Sequence, residues 1–156
     1  MAIKTITLKG TGMRKELLAG GAITPGHLVE RSSTAGDVVV HSTAGGNAIA
    51  AFAVENDIAG DEITVAYANN ETVQYDVFSP GDEVYALLQG AGTAVIIGSF
   101  LESAGDGTLR LHVAPDLEVS GAAPDLQVKP IVAIALEALD ISASGTADGR
   151  IQVEIV

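Results

Sequence analysis

Three histidines, His27, His41 and His112, and an acidic run of Glu55, Asp57, Asp61 and Glu62 are the residues of this chain best suited to chemistry. Imidazole binds zinc and moves protons near neutral pH. Here the three stand one per segment, with neither an H-x-H nor an H-E-x-x-H spacing, so nothing in the sequence gathers them into a metal centre. The acidic run surrounds "DIAGDE" but lacks the alternating D-x-D-x-D-G order of a calcium loop, and reads as a solvated hairpin tip. "GDG" at 105–107 has the glycines of a phosphate loop, yet no helical pattern follows it to supply a dipole. There is no G-x-S-x-G, no Walker A loop and no dinucleotide fingerprint. A Ser/His/Asp triad draws on distant segments and would leave no spacing to read. With no cysteine, thiolate nucleophiles, cysteine-ligated zinc and disulfides are excluded. The expectation is a chain with no catalytic residues, no cofactor and no metal, and not an enzyme.

The other chemistry is electrostatic. Lys4, Lys9, Arg14 and Lys15 fall within the first fifteen residues, which contain no Asp or Glu. That stretch carries +4, while residues 16–156 carry −16, for a net charge of −12. Such asymmetry suggests a basic arm, 1–15, that docks on something acidic, with these four residues as the partner-binding set. Nucleic acid is a poor target, because the body would be repelled by phosphate and no aromatic or arginine cluster accompanies the arm. An acidic protein surface, on a neighbouring copy or a larger partner, fits better. A solvated first strand that happens to be basic is the plain alternative.

The elements that must position these residues are short. "TITLKG", "DVVVHS", "EITVAYA", "TVQYDVF", "EVYALL", "TAVIIGS", "TLRLHV" and "RIQVEIV" are alternating or β-branched, and each is bounded by Gly, Asn, Asp or Pro. Eighteen glycines sit at the joints. This pattern predicts an all-β fold, a small barrel or sandwich with Gly-rich turns, over a single domain at 16–156 behind the extended arm. Residues 12–21, "GMRKELLAGG", are expected to make one or two helical turns, and Ala-rich 130–140 to form a strand. The stretch 112–130, with two "APDL" phrases, is expected to be a long loop. "ITPGHLV" and "FSPGDEVYALL" share a Pro-Gly that suits the centre of a type II turn, since Pro fixes φ and Gly accepts a positive one. Both are read as folding corners rather than active-site loops.

Mean hydropathy is +0.35 although the chain is strongly acidic, and only six residues are aromatic. A core of Val, Ile, Leu and Ala buries little area per side chain, so part of the apolar surface is expected to be covered between subunits. The longest apolar runs, Ala48–Val54 and Ile131–Leu136, are far below the ~18 residues of a membrane span, and no signal-peptide pattern is present. No membrane partner is expected.

From Leu17 onward the order of the phrases "GAITPGHLVE", "VAYANNETV", "SPGDEVYALL", "LESAGDGTL" and "ALEALD" resembles the decoration, or cement, proteins of tailed-bacteriophage capsids. The stretch around 112–130 departs from that pattern. The resemblance implies a small, non-enzymatic β protein on the outside of a virion, made in the bacterial host cytoplasm. It implies a homotrimer that clamps major capsid protein subunits, with the N-terminal segment, and hence Lys4, Lys9, Arg14 and Lys15, lying across the shell or a neighbouring subunit. Two other readings stay open on the residues. A β-sandwich adhesion module for a host surface or carbohydrate would want exposed aromatics, and this chain has no Trp and three Tyr. A small β-barrel enzyme would want a polar cleft around His41 or His112.

Overall fold

The computed structural model describes residues 2–114 and 129–156. Among them there is no helix, and eleven strands occur in chain order: β1 (Thr7–Lys9), β2 (Met13–Leu18), β3 (Val29–Arg31), β4 (Val38–Val40), β5 (Ala51–Ala53), β6 (Thr72–Val77), β7 (Glu83–Leu88), β8 (Phe100–Ser103), β9 (Leu109–Leu111), β10 (Ala133–Ala135) and β11 (Gly149–Ile155). Five of them close on themselves in the order β7-β11-β10-β8-β9, with β9 meeting β7 in parallel at Leu88 and Leu109. The result is a small mixed barrel carrying extra strands, so the all-β expectation holds. A second sheet, β2-β6-β5, and a hairpin, β3-β4, complete the body.

The alternation that marks a half-buried strand is plainest in β11, where Ile151, Val153 and Ile155 are buried and Arg150, Gln152 and Glu154 are not. These residues join Leu88, Leu101 and Leu109 in the barrel core. Phe52 and Phe78 pack there edge to face, their centroids 6.1 Å apart. A second core lies between the three-stranded sheet and the hairpin, built from Ile23, Val29, Val38, Tyr67, Val73 and Tyr75.

One edge of β7 is shared by three distant segments. The N–H groups of Tyr85, Leu87 and Gln89 donate in turn to the carbonyls of Ile6, Gly26 and Leu109, at 2.8, 3.0 and 2.8 Å. The first Pro-Gly corner is therefore wedged into the barrel wall. Both corners are β-turns closed by a backbone bond, His27 to Thr24 and Asp82 to Ser79, each 3.0 Å long. Gly26 and Gly81 stand at φ +94° and +92°, as a type II turn requires of its third residue.

Several expected elements differ. Residues 12–21 hold no helical turn, because Met13–Leu18 pairs along its length with β6. Glu62–Ala68 and Thr93–Ser99 form turns rather than strands, with isolated bridges from Tyr67 to Ile23 and from Val95 to Leu139, and Gly98 and Ser99 bond to Ala135 of β10. Of 130–140, only Ala133–Ala135 is strand. Strand β3 follows the first Pro-Gly corner, where the residue after the glycine is read as leading into a strand, whereas β5 and β8 were not anticipated. The interior of the expected 112–130 loop, with the second "APDL" phrase and most of the first, lies outside the described residues.

Candidate functional site

The basic stretch supplies β1 and the start of β2, and the body's carboxylates meet it. Lys9 lies opposite Glu83 across β1-β7, and Lys9 Nζ is 2.7 Å from Glu83 Oε1. Arg14 lies opposite Asp76 across β2-β6. Its Nε donates to Asp76 Oδ1 at 2.5 Å, and its Nη1 to Gln74 Oε1 at 2.8 Å. Burial works against the Arg14 charge, but the hydrogen bond and charge of Asp76 outweigh it and hold the pKa up. Lys4 Nζ is 4.0 Å from Glu62 Oε1 with both side chains exposed, a pair worth at most about 1 kcal/mol. Lys15 differs from the other three: among the described residues no carboxylate lies within 4 Å of it. Its side chain borders a crevice of about 60 Å³ between the second sheet and the hairpin, with Val38, Ile49, Ala51 and Tyr75 as apolar lining and Arg31 on the same rim.

The histidines do not converge. His27 Nδ1 accepts the Thr24 N–H inside the first Pro-Gly corner, at 3.1 Å, which assigns its proton to Nε2. His112 Nδ1 is 2.8 Å from Glu102 Oε2. His41 Nδ1 is 2.7 Å from Ser103 Oγ, and its Nε2 is 3.0 Å from the Asn47 carbonyl and 3.7 Å from Glu30 Oε2. The carbonyl beside Nε2 requires the N–H there, so the Ser103 hydroxyl donates to Nδ1. That is the first contact of a serine nucleophile and its base. Ser103 is 0% and His41 2% exposed, however, and the same Oγ accepts the Gly105 N–H at 3.2 Å. In this arrangement the hydroxyl has no face open to a substrate, and the contact ties β8 to the loop following β4. No group of three or more metal-ligating side chains is gathered among the described residues.

Glu102 was not anticipated. Its carboxylate is fully buried on β8, yet Oε1 receives Nε and Nη2 of Arg110 at 2.9 and 2.7 Å, and Oε2 faces His112. Arg110 is its register partner across β8-β9. Above it lies the turn containing Gly45, whose N–H donates to the Ser103 carbonyl at 2.8 Å. The acidic run is likewise partly engaged. Glu55 accepts from Thr5 Oγ1 at 2.5 Å and from the Ile6 N–H at 3.0 Å, which pins the first strand to the body. In "GDG", Asp106 Oδ1 caps Thr108 through its N–H and hydroxyl. Burial pushes the Asp106 carboxyl up, and the hydrogen bonds it accepts, from Thr108 first and from Gln89, together more than offset it, leaving the pKa lowered.

Fold and geometry together define a class: a small closed β-barrel whose polar clusters are structural ties, and whose large exposed apolar side chains include Ile96, Ile97 and Phe100 on one corner. Within that class the chain is similar in fold to the head fiber gp8.5 N base of bacteriophage phi29, known from a crystal structure. The TM-score is 0.54 at 11% sequence identity, over 94% of this chain and 95% of that one. No protein-family model matches the sequence, and no curated protein matches it.

Proposed function

We propose that this chain is a structural protein of a bacteriophage particle, seated on the capsid exterior as a homotrimer, where it stabilises the shell by clamping major capsid protein subunits. The observation that carries the reading is the end-to-end likeness of fold to a phage head fiber base, which leaves almost no part of either chain unmatched. The ordered resemblance to capsid decoration proteins from Leu17 onward points the same way. Physical features support it. Ile96, Ile97 and Phe100 are 68%, 69% and 49% exposed within five consecutive residues, an apolar corner of the kind that interfaces cover. A trimer touching several capsid subunits gains avidity from linked weak contacts. Preference for the mature shell over its precursor would then stabilise it by mass action.

The basic set would carry part of the shell contact, with Lys15 foremost because its charge is not spent on a carboxylate among the described residues. The test is co-sedimentation of the full chain with shells of the phage that carries its gene, together with electron-microscopy maps of particles with and without the protein. Density at three-fold positions outside the shell is expected. Reversing Lys4 and Lys15 to Glu should weaken binding in a salt-dependent way. Shells that never retain the protein would end the proposal.

A further inference from the structure

Among the described residues, the second sheet has one open edge. Val54 N–H donates to the Gln74 carbonyl and Phe78 N–H to the Ala50 carbonyl, so residues 74, 76 and 78 point their backbone groups at β5. The alternate residues 73, 75 and 77 therefore serve β2 and bind Leu17, Lys15 and Met13. The backbone groups of Arg14, Glu16 and Leu18 are left facing away from β6. Gly20, the next residue of that parity, already donates to Val38. Val38 also bridges Ala19 in parallel, which engages the Leu18 carbonyl, so among the described residues the open ladder runs from Gly12 to Glu16, on a strand whose side chains are exposed except at Leu17.

We infer that this edge is a two-fold contact between copies of the chain, formed by antiparallel pairing of β2 with β2 of a second copy about an axis at Lys15. A proper rotation that reverses both strand and edge keeps the faces of the sheet aligned, so directly opposite residues must have the same parity. Centring on Lys15 satisfies this and places Arg14 opposite Glu16 of the second copy, and Glu16 opposite its Arg14. These are the residues whose backbone groups are open, so both pairs can exchange main-chain hydrogen bonds while opposite charges meet. Met13, 66% exposed, would face Leu17 of the second copy on the other side of the sheet. The same patch serves both partners, as a closed two-fold contact demands. Lys15 meets its own counterpart, a like-charge pair that keeps the contact weak. The inference is a property of the isolated chain and does not rest on the virion reading; on a shell, the contact would join copies from neighbouring trimers.

The chain has no cysteine, so a single introduced one can form a disulfide only between copies. Across the axis, position 15 is a non-hydrogen-bonded pair with Cα atoms about 4.5 Å apart, within disulfide range. Under mild oxidation, Lys15→Cys should give covalent dimers at least about tenfold faster than the exposed control Ile97→Cys, since paired edges raise the effective concentration of the two thiols. Adding Glu16→Pro removes one outward N–H without touching the ladder to β6, and should return the rate to the control's. Glu16→Arg, which opposes two like-charge pairs, should do the same and covers the case of a proline variant that does not fold. Lys15→Thr should raise the associated fraction in sedimentation. Dimers forming no faster than for Ile97→Cys, or forming as fast with either Glu16 substitution, would overturn the inference.

Discussion

Gly26 and Gly81 hold the same place in the same kind of turn, yet a methyl group would meet different surroundings at each. At Gly81 nothing lies within 4 Å, so Gly81→Ala pays only for the positive φ, about 1–2 kcal/mol. At Gly26 the new Cβ would sit 2.7 Å from Arg150 Nη1 and 3.1 Å from the Tyr85 carbonyl. Gly26→Ala should therefore cost more than Gly81→Ala in urea unfolding, by about 1 kcal/mol or more. The adjacent His27 gives a pH signature. Burial lowers its pKa below 6.5, and its Nδ1 must stay unprotonated to accept the Thr24 N–H. A base whose folded pKa is depressed contributes stability that is complete above the unfolded value, and that stability is lost as pH falls through the folded value. Unfolding free energy should decline below pH 6.5, and the decline should shrink in His27→Gln; NMR titration of His27 would show a midpoint below 6.5. Tyr67, raised to about 12 by burial around its bond to the Val54 carbonyl, predicts the opposite loss in alkali, between pH 10 and 12. The turns were legible in the residues because Pro and Gly fix φ locally. The partner of Gly26 was not, since Arg150 lies at the other end of the chain.

At the scale of elements, β6, β7 and β11 could be read because their alternation is long enough to exceed local propensity. β2 could not. Met, Arg, Lys, Glu and Leu are all good helix formers, and only the edge offered by β6 draws "MRKELL" into a sheet. β5, "AFA", has no β-branched residue and is held by its neighbours alone. The Glu102 cluster was hidden for a related reason: a glutamate alternating with apolar residues reads as solvent-facing, and here Arg110, His112 and the Gly45 turn cover it. Because the carboxylate is fully buried, its pairing with Arg110 should behave as a buried ion pair. Arg110→Met, which leaves His112 alone to face the buried carboxylate, should cost up to about 3 kcal/mol, whereas Glu102→Met with Arg110→Met should cost less than the single change. Equal or greater loss in the double variant would show that the cluster stabilises by more than mutual compensation.

For the whole molecule, the first fifteen residues are better described as part of the body than as a detachable handle. Ile6 is fully buried in the barrel core, Glu55 grips its N–H, and β1 and β2 belong to different sheets. Deleting 1–15 should lower the thermal midpoint by well over the ~4 °C that follows from losing about 1 kcal/mol in a domain of this size, measured by calorimetry. Charge reversal at Lys4 and Lys15 should leave that midpoint nearly unchanged, which makes it the cleaner probe of binding. Lys9 and Arg14 are excluded from that set because glutamates there would face Glu83 and Asp76.

The position of β11 has a consequence for how the protein is made. Residues 149–155 lie between β7 and β10, in the middle of the barrel wall rather than at its margin. Until Ile155 has emerged from the ribosome, the wall has a gap one strand wide, and β7 and β10 present unsatisfied edges to every other nascent chain nearby. Closure is then a single late event that depends on contacts distant in sequence, which is slow and exposed to misassembly. Productive folding of this chain should therefore begin after translation of the barrel is complete, and premature termination anywhere before Gly149 should yield aggregate rather than a smaller barrel.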